Sequence, residues 1–433
     1  MCRNFNKHFL TSAIILSTVS PAFAQLTATN NASQANENLP YSRYGIGEQR
    51  NGVNTILKQM GSISSAYANP FAVNTDNPAS YAAVRLTTYE AGGEGVVRNA
   101  MMGSDKYRTG TATLSYLNVG LPLSKNGGLA FGLRPYSRTR YNMRGADSIA
   151  GLGTVVENYL GDGSINYGFI GAGYKFKNFS LGANFGYLFG TIDNRNLLVP
   201  DSFYSYASAV TRSAKIGGIY WKAGAQYEAK LKEKLSLRLG ATATLSQSLN
   251  VSQDEYWISF WSGVGSSEFS DTVYANADVK SKITLPLSYS FGAHLVGGSN
   301  WMVGADLTVT QWSQFRKFDK PDPAVTDQTF RIAVGGEYTP DPADTRSYFQ
   351  RVTYRLGFNY GTENIRLRNT DMNYYAVTGG VSLPFKRSTD RIHLSLEGGS
   401  RGTTVNGLVK ENFLRFGVGI TLNDRWFIKR KYD

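Results

Sequence analysis

Three arginines, Arg134, Arg138 and Arg140, recur at even positions in a stretch that reads as one β-strand, with Phe131 and Leu133 in the opposite phase. Alternate side chains of a strand point to opposite faces. The three guanidinium groups are therefore expected together, where they could hold a carboxylate by charge-assisted hydrogen bonds or pair with acidic groups such as Asp76, Glu90 and Glu94. Pro135 falls among them, and a residue with no backbone N–H marks an opening or a bulge in a continuous sheet. Asn77-Pro78-Ala79 has the form of a capped helical turn, with Asn77 at the cap and Pro78 in the first helical position. Tyr256, Trp257, Phe260, Trp261 and Phe269 cluster in what reads as the longest loop, from Gln253 to about Ala277. Exposed aromatics there could capture a greasy ligand, pack on one another or touch lipid headgroups. Catalytic motifs are absent: the sequence holds no Gly-x-Ser-x-Gly elbow, no His-Glu-x-x-His and no phosphate loop. His294 and His393 fall on strands five apart in order, so no catalytic residue, metal or cofactor is expected.

The elements that position these residues follow from the chain's address. Residues 1–24 read as a signal peptide: Arg3 and Lys7, an apolar stretch from Phe9 to Val19, then Ala22-Phe23-Ala24. Cys2 leaves with it, so the exported chain has no cysteine for disulfides, thiolate chemistry or metal binding. It keeps 43 basic against 32 acidic side chains, a balance of +11. That suits contact with anionic outer-membrane lipid and lipopolysaccharide, and export argues against nucleic acid. No later run of 18 apolar residues is present to make a transmembrane helix.

What remains is strand. Leu235, Leu237, Leu239, Ala241, Ala243 and Leu245 alternate with Ser236, Arg238, Thr242 and Thr244, and Leu414, Phe416, Val418, Ile420 and Leu422 alternate with Arg415, Gly417, Gly419 and Thr421. A period of two, with 46 Gly, 27 Tyr and 23 Phe in the chain, is the pattern of a wall between hydrocarbon and a polar lumen. Fourteen such segments lie between residues 84 and 422, joined by connections that alternate short and long. The fold class expected is all-β: a transmembrane 14-stranded antiparallel β-barrel, with both barrel ends of the chain on the periplasmic side. Apolar phase slips at Tyr116-Leu117 and at Phe169-Ile170 suggest β-bulges. Pro122 and Pro286 are expected near strand ends, where a missing donor costs little. Residues 25–40 read as a flexible linker, 41–83 as a compact hatch in the lumen, partly helical around Val53 to Met60, and 423–433 as a basic periplasmic tail.

On these residues a resemblance can be stated. Met60-Gly61 to Tyr67-Ala68, followed by Asn77-Pro78-Ala79, resembles the hatch of the FadL-type channels for hydrophobic compounds. Leu285-Pro286-Leu287, Trp301 to Gln311-Trp312-Ser313, and Arg331 to Tyr338-Thr339-Pro340 resemble that family's barrel. Pro40-Tyr41-Ser42-Arg43-Tyr44-Gly45 and Asn423-Asp424-Arg425-Trp426-Phe427-Ile428-Lys429-Arg430 are similar to its Bacteroidota branch. The resemblance implies a monomeric fourteen-stranded barrel and passive uptake of hydrophobic small molecules such as long-chain fatty acids. It also implies lateral release at the third strand, which gives Pro135 a role. Some barrels of this branch instead serve as adaptor or shuttle components of a protein-secretion complex, which is the alternative function.

Overall fold

The computed structural model describes residues 37–150, 153–201, 205–261, 270–344, 346–386 and 388–426. The expected signal peptide, most of the linker, Phe269 and the last seven residues of the tail lie outside them.

Fourteen antiparallel strands close into a barrel. They are β1 (Thr87–Met102), β2 (Asp105–Pro122), β3 (Gly127–Ile149), β4 (Gly153–Phe176), β5 (Phe179–Pro200), β6 (Tyr206–Lys232), β7 (Leu235–Thr244 continuing as Gln247–Trp261) and β8 (Ser270–Leu285 continuing as Ser288–Gly297). The rest are β9 (Trp301–Thr310), β10 (Thr329–Tyr338), β11 (Thr353–Leu367), β12 (Thr370–Pro384), β13 (Arg391–Gly402) and β14 (Lys410–Asp424). Each pairs with its neighbours in sequence, and β14 pairs with β1 from Asp424↔Thr87 to Lys410↔Met101, which closes the wall. Thr87 and Asp424 mark one end, called the near end below, and the opposite end is the far end. Closure leaves no sheet edge in the hydrocarbon, which is why such a chain can cross a bilayer without a helix.

The side chains divide as the alternation requires. Phe185, Tyr187 and Phe189 of β5, or Leu414, Phe416 and Val418 of β14, are exposed on the outside. Asn184, Thr242, Ser290, Asn359 and Thr378 are buried inside. The slip at Tyr116 is a bulge, because the register passes from Gly92↔Tyr116 to Gly93↔Leu114 and leaves Ser115 over. The slip at Phe169-Ile170 is not a bulge. The ladder runs unbroken through Phe169↔Gly186 and Ile170↔Phe185, and Phe169 is an apolar residue that points inward. Pro286 is also placed differently: it stands mid-strand in β8, facing the interruption at Leu245-Ser246 in β7. There the Gln247 side chain replaces the missing ladder bonds, accepting from Trp221 N at 2.8 Å and donating to Trp221 O at 3.1 Å.

The wall is lopsided in height. β3 to β6 have 23, 24, 22 and 27 residues, whereas β9 and β10 have 10 each. At about 3.3 Å per residue, β3 to β8 form a sheet that stands well above the far rim on one side only.

The segment from Glu37 to Leu86 lies inside the barrel, bonded to strands around most of its circumference. Gln59 donates to Val381 O and Leu394 O, Ser64 N and Ser65 N donate to Asp306, Gln226 donates to Ser65 O, and Asn184 donates to Thr75 O. It runs from the far end, where Tyr41 meets Val409, to the near end. Glu37 to Pro40 belong to this interior segment and not to the linker, because the Glu37 carboxylate is held by three arginines.

Candidate functional site: the wall between the second and third strands

The ladder joining β2 to β3 begins at Pro122↔Gly128 and ends at Leu117↔Leu133. Beyond that point β2 stays paired to β1, and β3 stays paired to β4 as far as Ile149↔Gly153. The two strands part just before Arg134-Pro135. Bulges mark both sides of the parting, Ser115 in β2 and Tyr136 in β3, where the register passes from Pro135↔Asn166 to Ser137↔Ile165. Backbone groups freed on β3 need partners, and the interior segment supplies them. Arg50 N donates to Tyr136 O at 2.9 Å, Glu48-Gln49 pairs with Arg138-Ser137 as a two-residue strand, and Leu39 N donates to Arg140 O at 2.8 Å. Asn38 and Asn142 exchange a pair of bonds between side-chain amide and backbone. Residues 38–50 thus strap the parted edge from within.

The bulge corrects the expected arginine row. One extra residue reverses the facing of every side chain after it, so Arg134 points inward while Ser137, Thr139 and Tyr141 take over the buried face. Arg138 and Arg140 fall in the outer phase. Arg134 lies over the Tyr167 ring, 5.5 Å from its centre, in the space a side chain at Gly52 would fill, and its Nε has no partner. Arg138 Nε is 2.6 Å from Glu37. Arg140 makes a surface pair with Asp162 at 3.4 Å, a contact of little energy. The acidic partners expected for these arginines are engaged elsewhere. Asp76 binds Lys222, Glu94 binds Arg50 and Lys58, and Glu90 accepts from Val73 N at 3.1 Å.

Behind the parted wall the lumen has two chemistries. On the β4–β8 side, Ile165, Tyr167, Phe169, Leu188, Ile216, Leu249, Ile283 and Phe315 form one apolar cluster that Tyr136 and Tyr220 join. On the side of β9 to β14 and β1 there is a cavity of about 310 Å³ lined by Glu48, Arg98, Arg331, Glu363, Glu397, Arg401 and Arg415. Glu48 ties the segment to this side through Arg98 at 2.7 Å and Arg401 at 2.9 Å. Burial pushes its carboxyl up, but Arg401, Arg98 and Arg50 outweigh burial and hold it well below the usual carboxylate range. Asp76 is treated alike: burial raises it, and Lys222 brings it far down.

At the near end Asn77 Oδ1 accepts from Ala79 N at 3.1 Å and opens the 3₁₀ turn Pro78–Ala83. Its amide nitrogen donates to Ser65 O at 2.5 Å and Ala225 O at 3.3 Å. The turn sits on a row of glycines that face one another across four strands, Gly128, Gly173, Gly182 and Gly224. A Cβ on Gly182 would stand 2.4 Å from the Pro78 backbone, and one on Gly224 2.0 Å from Asn77 Oδ1. Inward glycines mark a close backbone approach, a signal present in the sequence at these four positions.

A barrel with its N-terminal segment folded inside and a parted third strand can be compared with known proteins. The profile of the BamG family matches residues 15–433. The chain belongs to the BamG family. No curated protein matches its sequence. Among solved structures it is similar to the Pseudomonas putida toluene transporter TodX (14% identity, TM-score 0.56, covering 88% of this chain and 98% of that one). It is also similar to the Ralstonia pickettii toluene transporter TbuX (15%, 0.56, 86% and 98%) and to a Pseudomonas aeruginosa FadL homologue (12%, 0.55, 87% and 99%). These relatives share the fold, which is that of outer-membrane barrels.

This BamG-family barrel carries its aromatic cluster on strands and not on a loop. Tyr256, Trp257, Phe260 and Trp261 belong to β7, paired to β6 from Tyr206↔Trp261 and to β8 from Phe260↔Ser270. Trp257 contacts Tyr274 and Trp261 contacts Tyr206, ring centres 5.3 and 5.4 Å apart. The segment looked like a loop because Gln253, Asp254 and Glu255 run directly into Tyr256 and Trp257 with no period of two. His294 is fully buried against Asp306 at 3.1 Å, and His393 is held between Ser382 and Thr421. Among the described residues no group of His, Cys, Asp and Glu could hold a metal ion.

Proposed function

We propose that the protein is a gated outer-membrane channel for hydrophobic or amphipathic small molecules such as long-chain fatty acids. The observation that carries this is the parting of β2 from β3 at Leu117/Leu133, with an apolar cluster on the lumen side and a strap, residues 38–50, across it. A molecule leaving the apolar side at Tyr136 would meet the bilayer through the parted strands. The strap must first come off. Arg134, Pro135, Arg138 and Arg140 line or flank this route, and Asn77-Pro78-Ala79 closes the near end as a hatch. The fold shared with the toluene transporters supports this use.

The experiment is uptake of a fluorescent fatty acid into liposomes, compared with a hydrophilic dye. Gln49 and Ser137 are paired across the strap, so Gln49→Cys with Ser137→Cys should stop fatty-acid entry when oxidised and restore it when reduced. Entry that is indifferent to the lock would sink the proposal.

The tall sheet of β3 to β8 favours a second use. An ordered wall beyond the far rim, bearing Tyr206, Trp257 and Tyr274 exposed, over a lumen tied shut by ion pairs, suits an adaptor in a protein-secretion complex. On that alternative the intact protein moves neither probe.

A further inference from the structure

The outer face of β14, β1 and β2 changes character at a fixed level. Its lipid-facing residues on β14 run apolar from Leu422 through Ile420, Val418 and Phe416 to Leu414, with Tyr89, Ala91, Gly93, Gly95 and Val97 opposite on β1. That is nine residues of β14, the length a tilted strand needs to cross the hydrocarbon. The near boundary is set by Tyr89 packed against Trp426, ring centres 6.0 Å apart. At the far boundary the next outward residues are Asn412, Asn99 and Arg108 in one row, then Lys410, Met101 and Lys106 in the row above. Inward phases take the intervening acids: Glu411 is buried against Arg401. Among the described residues Lys106, Arg108 and Lys410 are in no ion pair, and the one exposed carboxylate on these strands beyond Leu414 is Asp105, at the tip of the β1–β2 hairpin and in the phase opposite to Lys106 and Arg108.

The same level on the opposite side is mixed in sign. There Arg140 and Lys215 stand beside Asp162 and Asp193, which face each other across β4 and β5.

We propose that Lys106, Arg108 and Lys410 form a docking site for the phosphorylated glycolipid of the outer leaflet, with Asn99 and Asn412 contacting its sugars. Its phosphates meet the three cations. Its acyl chains lie along Val97, Leu414 and Phe416 directly below. A free anion would gain nothing from that apolar surface, and a zwitterionic lipid would gain little from three unpaired cations. The site rests on the far end facing outward: the even strand count puts both barrel ends at the near end, and the tall strands β3 to β8 rise from the far end, which is the outward side in barrels with short periplasmic turns.

The test uses the full chain purified in detergent, with bisphosphorylated lipid A, the same lipid stripped of phosphate, and inorganic phosphate as competitor, read by native mass spectrometry. The triple variant Lys106→Ser, Arg108→Ser, Lys410→Ser should bind lipid A on the order of 100-fold more weakly, from three basic residues near an anionic surface. Lys215→Ser should leave binding unchanged, and dephosphorylated lipid should bind the intact protein as weakly as lipid A binds the triple variant. The three side chains point away from the protein, and heat-modifiable migration checks folding; single variants serve if the triple fails to fold. Lipid A binding that survives the triple change, is equal without phosphate, or is displaced by millimolar inorganic phosphate would overturn the site.

Discussion

Glu37 lies 2.6 Å from Arg138 across the parted wall, and its second carboxylate oxygen lies 3.0 Å from Arg50. One buried acid therefore joins the start of the interior segment both to the free edge of β3 and to the far end of its own strap. Removing it leaves arginines facing one another inside the barrel, a change that costs about 3 kcal/mol where a buried pair is broken. Glu37→Ala should expose residues 38–50 to protease at a lower urea concentration than the wild type, with the barrel itself still folded. Equal protection would mean the backbone bonds hold the strap unaided.

Pro135 stands two positions past the last β2–β3 pair, where a donor could extend the ladder. Pro135→Ala restores an N–H, and one net hydrogen bond is about 1 kcal/mol. Fatty-acid entry in liposomes should then slow by about fivefold, with dye exclusion unchanged. An unchanged rate would place the route elsewhere.

Glu48 fixes the sign of the acid response. Its folded pKa lies below the ordinary value of 4.5, so its stabilisation is fully present above that value and is lost as pH falls through the depressed one. Protection of the segment should be flat from pH 8 to about 5 and decline only below the ordinary carboxylate range. Glu48→Gln should lose protection already at neutral pH. A midpoint above pH 5 would contradict the ion-pair account.

The glycine row under the Asn77 turn admits a steric test. A side chain at Gly182 would overlap the Pro78 backbone, so Gly182→Val must push the turn off the wall. Asn77→Ala removes the cap and leaves Ser65 O without its short bond, costing about 2 kcal/mol. Both should let hydrophilic dye leak through a barrel that is still closed. A tight barrel would show that the near end is sealed by other contacts.

Much of this protein was written in its alternation. Apolar residues at every second position of β5, β7 and β14 fix an outer face, because only a strand presents two faces with period two, and an even count of such strands with alternating connections fixes a closed antiparallel barrel. Pro135 was legible as an interruption for the same local reason: it has no N–H whatever surrounds it. Asn77 before Pro78 was legible as a cap.

The tertiary structure decided what depends on partners far away in the chain. Arg134, Arg138 and Arg140 look equivalent until a one-residue bulge at Tyr136, set by where β3 leaves β2, puts two of them in the opposite phase, where Arg138 bends back to Glu37 and Arg140 meets Asp162. Glu37 looked like linker because its three arginines are 13, 61 and 101 residues further on. The upper parts of β7 and β8 looked like a loop because their polar and aromatic residues do not alternate with period two. A sequence determines which face each residue shows within its own strand; which edge stays open, and what closes it, is set by the closure of the whole wall.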